Sequence, residues 1–263
     1  MLPVVFISHG APSFALEPGS AGPALTRFGN TLPKPAAIVV LSPHWQSQGL
    51  YLSSSSKPET IHDFSGFPSA LYQLQYPVAG APDIAAQLQQ HLQQQGFSAG
   101  LNPNRGLDHG AWVPLRYLFP QADVPVVQLS LPVRWSSRQL YQLGQALADF
   151  APEQILFVGS GSLTHNLYEF RAYADEPAAA YAAEFSDWIA NRLSQNQALQ
   201  VVDALELAPH AKRAHPTDEH FLPLSFVLGI AGQYSTVQPL VREIRHSVLS
   251  MDAYAFERSG LGA

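Results

Sequence analysis

The chain of 263 residues contains no cysteine. That removes disulfides, thiolate metal sites and a cysteine nucleophile together. Charge is scarce too, at 13% of residues, and acidic on balance, with a formal net charge of -6. A basic groove for nucleic acid and a cationic face for an anionic membrane are therefore not expected. No apolar run approaches the roughly 20 residues of a membrane span. The first residues lack the basic start of a secretory signal, so a cytoplasmic protein is expected. Hydrophobic residues make up 46%, which argues against disorder. What is present in quantity is histidine, ten residues against two methionines. With thiolates absent, imidazole is the metal ligand left to consider.

Short apolar runs recur at Val4–Ser8, Ala37–Leu41, Val124–Leu129 and Ile155–Gly159. Each is nearly continuous rather than alternating, the pattern of strands covered on both faces. Helical patterns lie between them. Ile84, Leu88 and Leu92 form one stripe behind Pro82, and Leu140, Leu143, Leu147 and Phe150 form another, with Ser136 or Ser137 as cap. Residues 177–195 and 111–118 read as two more helices, and Thr217 is expected to cap a fifth with Asp218, Glu219 and His220 in its first turn. Residues 53–58 and 100–106 read as loops. Strands alternating with helices predict an α/β fold. It is a single domain over residues 1–263, with a central, largely parallel or mixed sheet flanked by helices.

In such sheets ligands bind beyond the carboxyl ends of the strands. The first run ends in Ser8-His9-Gly10, the second in Ser42-Pro43-His44-Trp45, and the fourth reaches Thr164-His165-Asn166. Three of four strand ends thus deliver an imidazole to one edge, which points to a site there. His109 in "LDHGAW" and His220 in "DEHFLPL" stand in motif-like settings, with Glu219 a rival ligand to His220. His62 in "IHDFSGFP" is either a substrate contact or part of the loop. Phe14, Trp45, Phe64, Phe67 and Tyr72 are candidates for an aromatic pocket. His91 and His215 read as structural, and His210 and His246 have no supporting context. Imidazoles with a carboxylate and no thiolate suit iron or zinc. The residues leave two activities open, an iron-dependent oxygenase and a zinc-dependent hydrolase of a small ester or amide.

The motifs "SHGAP", "SPHW", "IHDFSGFP", "LDHGAW", "GSLTHN" and "DEHFLPL", in this order, resemble the class III extradiol ring-cleavage dioxygenases of the 4,5-DOPA type. The resemblance implies a non-haem Fe(II) enzyme that opens a catechol-type ring with O2, with Zn(II) able to occupy the site in isolated protein. It implies His9 and His44 as anchoring ligands and His220 as the third. His165 becomes a ligand or acid/base, and His109 a substrate-facing histidine or one that supports a ligand, with either His165 or His109 as the acid/base. His62, Trp45 and Phe67 are taken as substrate contacts. The implied partners are a small aromatic substrate and O2, with no nucleic acid and no membrane; the oligomeric state stays open.

Overall fold

The computed structural model describes residues 2–150 and 154–258; Met1 and 259–263, the ends of the expected domain, lie outside them. The apolar runs become strands β1 (Val4–Ser8), β2 (Ala37–Ser47), β5 (Val126–Pro132) and β6 (Ile155–Gly161). Between and after them run β3 (Leu50–Ser53), β4 (Ala99–Asn102), β7 (Tyr234–Val241), β8 (Ile244–Arg245), β9 (Leu249–Ser250) and β10 (Ala253–Arg258). Eight strands form one sheet in the order β4-β3-β5-β2-β6-β1-β10-β7. Its centre is parallel, β5 with β2, β2 with β6 and β6 with β1. Both flanks reverse direction, since β3 is antiparallel to β5 and β10 is antiparallel to β1 and β7. The sheet is therefore mixed, as one of the two expected forms.

The continuous apolar runs resolve into two alternating faces. Val4, Phe6, Val39, Leu41 and Phe157 face one core layer, and Val5, Ile7, Ile38, Val40, Leu156 and Val158 face the other. This is the period-2 pattern of strands covered on both sides. Helices Pro82–Gln94, Ser137–Ala148, Ala180–Ser194 and Leu222–Ala231 cover the first layer, through residues such as Leu88, Leu143, Phe185 and Phe226. Helices Ala21–Gly29 and His109–Leu118 cover the second, through Leu25 and Trp112. Among the described residues no helix is long and apolar enough to cross a membrane.

Four expectations are corrected. The stretch 100–106 is not all loop, because its first residues belong to β4. The second run does not stop before His44: β2 continues to Ser47, and its pairing with β5 jumps from Leu41↔Leu129 to Gln46↔Leu131. Residues 42–45 bulge out of the ladder there. Pro43, with no N–H to give, suits that interruption. Thr217 does not cap a helix either. Its hydroxyl donates to Glu219, and the helix starts at Leu222, so Glu219 and His220 sit in the turn before it. Finally, the fourth run does not end at Gly159, because β6 continues to Gly161. A side chain at Gly161 would lie 2.3 Å from the His220 carbonyl, so glycine lets the His220 turn press against the strand.

Candidate active site

Three main-chain bonds draw the site together. His9 N–H donates to the Gly161 carbonyl at 3.0 Å, and Ser162 N–H donates to the His220 carbonyl at 2.8 Å. His165 N–H donates to the Ala214 carbonyl at 2.8 Å. The end of β1, the end of β6 and the turn before the last helix are thereby fixed to one another. Gly10, at φ +62°, then turns the chain away from the sheet; a side chain there would also meet Met251 at 2.6 Å. The result is a cavity of about 530 Å³ bordered by His9, His44, His109, His165, His220 and Glu219. Five of the six histidines that the sequence singles out meet in it, and His62 does not.

His9 is 1% exposed, and its Nδ1 lies 3.0 Å from Ser160 Oγ. The direction of that bond is set two residues further along the network. The helix His109–Leu118 contains Pro114, which cannot donate to the Gly110 carbonyl one turn earlier. Ser160 Oγ donates to that carbonyl instead. Its single proton is then committed, so it accepts from His9, and Nδ1 is the protonated nitrogen of the ring. His9 Nε2 is left with a bare lone pair. It lies 3.1 Å from His44 Nε2. His220 donates through Nδ1 to Glu219 Oε1 at 3.0 Å, while its buried Nε2 has no hydrogen-bond partner.

His44 and His109 share Asp63. The Asp63 carboxylate accepts from the His109 backbone N–H at 2.9 Å and lies 3.0 Å from His109 Nδ1, out of line for a hydrogen bond, and 3.7 Å from His44 Nδ1. Asp108 positions the same helix from below. It is fully buried, caps the helix by accepting from Ala111 N–H, and takes further donors from Ser42, Arg105 and Gln128. His165 stacks on His220, ring centroids 3.5 Å apart and planes 7° from parallel.

Burial dominates the electrostatics. It pushes the His9 pKa well below the usual imidazole range, with His44 adding to the shift, and does the same at His220, with His165 adding. Burial and His109 bring His44 down to about 3 against the pull of Asp63, and burial brings His165 to about 4. Each of these rings is neutral at pH 7, the form that binds metal. Burial would raise Asp63, but hydrogen bonding and charge from His109 hold it at about 2.

The donor set fits a metal ion. One ligand nitrogen each of His9, His44 and His220 lie within 4.8 Å of one another. Two nitrogens sharing an ion at about 2.1 Å, at tetrahedral or octahedral angles, stand on the order of 3.0–3.4 Å apart. The 3.1 Å between His9 and His44 falls in that range. Metal-binding imidazoles normally have the other ring nitrogen held by the protein. Ser160 and Glu219 do this for His9 and His220.

The remaining candidates separate. Phe67 lines the cavity. Trp45 does not; it lies under the Arg105 guanidinium, 5.1 Å away. His62 binds the Leu74 carbonyl at 2.9 Å and packs edge-on to Phe64 and Trp112, behind the cavity wall. Phe64 and Tyr72 pack beside it, and Phe14 packs on Tyr117. Asp63 and Ser160 belong to the site but escape a reading of the sequence. Asp63 adjoins His62 in the quoted motif, so it was within sight; nothing local distinguishes Ser160 in a buried strand.

The fold and site define a metal centre of imidazoles at the mouth of a mixed α/β sheet. The family model "Catalytic LigB subunit of aromatic ring-opening dioxygenase" matches residues 22–256. The chain is 37% identical over 255 residues to a 4,5-DOPA dioxygenase extradiol of Beta vulgaris, covering 95% of each chain. It is 34% identical over 253 residues to a protein of the same description from Escherichia coli (strain K12), covering 95% of this chain and 93% of the relative. A crystal structure of an uncharacterized protein from Escherichia coli K12 matches with TM-score 0.82 and 28% identity, covering 97% of this chain and 99% of that one. The chain belongs to the aromatic ring-opening dioxygenase family, and with it to the metal-dependent extradiol dioxygenases. That membership decides between the two activities the residues leave open, in favour of the oxygenase.

Proposed function

We propose that His9, His44 and His220 hold Fe(II), and that the protein opens the ring of a catechol-type substrate with O2. A DOPA-like catechol is one member of that class, in keeping with the description of the relatives. The observation that carries the metal assignment is the convergence of bare ring nitrogens, with His220 Nε2 buried and unpartnered. Fe(II) held by these three residues would supply proximity of diol and O2 and a path for electrons between them. Zn(II) takes the same ligands in protein isolated in air.

The chain supplies orientation and proton handling. Ser160 and Glu219 hold the ligand rings, so the lone pairs need no rearrangement when the metal arrives. Asp63 pins the His109 backbone and sits against Nδ1, which leaves Nε2 for the substrate. His165, neutral in its buried setting, accepts a proton from the diol. That proton returns to the substrate as the ring opens, from His165 itself or relayed through His109 Nε2. Overall, one ring bond beside the diol breaks and both oxygen atoms of O2 enter the product, one at each new carbon end. The ring is oxidised by four electrons as O2 is reduced.

The test is purification without air, loading with Fe(II), and a screen of catechols for O2 uptake and yellow ring-opened product. One O2 consumed per ring opened is the expected result. Fe(II)-loaded protein that consumes no O2 with any catechol sinks the assignment.

A further inference from the structure

One end of the cavity is polar and the rest is not. Beyond the histidines and Glu219, its walls are Ala11, Pro12, Phe67, Leu167, Phe170 and Leu249, with Gly10 contributing only backbone. Among the described residues no lysine or arginine lines it. Two arginines of adjoining segments are engaged elsewhere. Arg213 holds Glu169 through two contacts of 2.8 Å, and Arg105 holds Asp108 at 3.0 Å behind the site.

The apolar walls are built rather than incidental. Phe67 packs against Phe64 at 5.5 Å, and Phe64 in turn against Tyr72 at 5.2 Å. Phe170 stacks on the His246 ring at 4.4 Å and 19°. His246 is itself tied to the Arg171 carbonyl at 2.9 Å, which gives a role to a histidine that has none in the sequence. The rim continues the same character outward, with Leu167 59% and Tyr168 90% exposed. Apolar side chains presented to solvent around a cavity mouth mark a place where something apolar binds.

We infer that the preferred substrate is a catechol with an uncharged alkyl or aryl substituent on the ring, and that a catechol carrying a carboxylate is disfavoured. The inference rests on the ring-opening reading and adds the substrate class to it. It also separates this chain from an amino-acid catechol of the kind the relatives' descriptions name. A carboxylate on the substituent would enter an apolar passage with no counter-ion, and Glu219 is the charged side chain it would meet. An alkyl group there gains about fourfold in binding per buried methylene.

The deciding pair is 4-butylcatechol and 3-(3,4-dihydroxyphenyl)propanoate, which are close in length and differ in charge. With Fe(II)-loaded protein, kcat/KM should rise about fourfold per methylene from catechol through 4-methyl- and 4-propylcatechol. The propanoate should fall at least about 100-fold below 4-butylcatechol. Calorimetric binding of the same pair to Zn(II)-loaded protein without O2 gives a second reading that needs no ring opening. Equal or better use of the propanoate overturns the inference and leaves the ring-opening reading intact. Preferential binding of 4-butylcatechol with no ring opened would uphold the inference and sink that reading. Leu167→Lys, at an exposed rim position, should raise kcat/KM for the propanoate at least about tenfold, by pairing its charge. Phe170→Ala should flatten the chain-length series. If both variants leave the substrate ratio unchanged, these walls do not select the substituent and the inference fails.

Discussion

His215 and His220 make a matched pair on opposite sides of the cavity wall. Each is 6% exposed, and burial lowers the pKa of both. Each has one ring nitrogen donating to oxygen, His215 to the Leu163 carbonyl at 2.7 Å and His220 to Glu219 at 3.0 Å. Each leaves its other nitrogen buried and unpartnered. By those criteria alone the two are indistinguishable. What differs is what the free nitrogen meets. His215 is packed by the rings of Phe185 and Phe221, at 5.5 and 5.3 Å. His220 converges with His9 and His44. Burial and an orphaned atom do not make a ligand; convergence with other lone pairs does. The dispersed histidines repeat the His215 pattern, with His62 on the Leu74 carbonyl and His91 on the Ala146 carbonyl.

The largest effect expected from that contrast is loss of the metal. His220→Ala should bind less than about a tenth of the wild-type metal per subunit and open no ring, because a three-imidazole site loses a ligand. His215→Leu should keep its metal and turnover. Metal analysis of the two proteins, prepared side by side, checks this. Equal metal loss in both would break the comparison. Glu219→Gln sharpens it from the other side: an amide oxygen can still accept from His220 Nδ1, so most of the metal should stay. Complete loss there would make the carboxylate itself a ligand.

His109 should show the next largest effect. It lines the cavity but leans on Asp63 rather than joining the His9–His44–His220 set. His109→Ala should keep iron and catechol binding while ring opening slows by about 10²–10⁴, the typical cost of removing a positioned acid/base. Single-turnover ring opening alongside iron content separates the two. His165 makes a harder case, since it stacks on His220 and belongs with Glu219 and His220 in a second cluster. Its replacement should lower turnover severely and metal content modestly.

A smaller effect follows from Ser160. In Ser160→Ala the His9 Nδ1 proton loses its acceptor and the Gly110 carbonyl loses its donor. Metal affinity should weaken about 10–100-fold, the usual cost of removing such a supporting contact. Competition with a chelator measures it. An unchanged affinity would mean that packing alone orients His9.

Much of this is legible in the sequence. The parallel centre of the sheet announced itself as continuous Val- and Ile-rich runs, since strands covered on both faces have no polar side to show. His9 and His165 followed from the rule that such strands deliver ligands at their carboxyl ends. The flanking strands were hidden. Leu50–Ser53 and Ala99–Asn102 are too short to display a period, and Tyr234–Val241 is exposed or half-buried from Ser235 to Leu240 without a two-residue alternation. His44 was found for a partly mistaken reason, because a bulge inside a continuing strand delivers it. The His220 turn reads as a helix start because Thr217 is a capping residue type and Asp218 and Glu219 suit a first turn. Ser160 could not be read at all. Its role depends on a carbonyl freed by a proline on another element.

The smallest prediction takes the matched histidines to acid. The unfolded chain protonates a histidine near pH 6.5, whereas burial holds folded His215 to about 4. Between those values the unfolded state binds more protons, so stability falls as pH falls, and the loss from this group ends below about pH 4. His215→Leu removes that term. It also strips the Leu163 carbonyl of its donor, which costs about 1–3 kcal/mol at pH 7. Metal-free wild type should therefore be the more stable protein at pH 7. Between pH 7 and pH 5 its advantage should shrink by about 2 kcal/mol, because only wild type carries the buried imidazole at this position. Urea unfolding of both proteins at the two pH values reads the difference directly. The cavity histidines are common to both chains and cancel in it. If the advantage holds steady with pH, His215 is already protonated or already solvated in the folded protein. The resemblance between the two buried imidazoles would then end at their exposure.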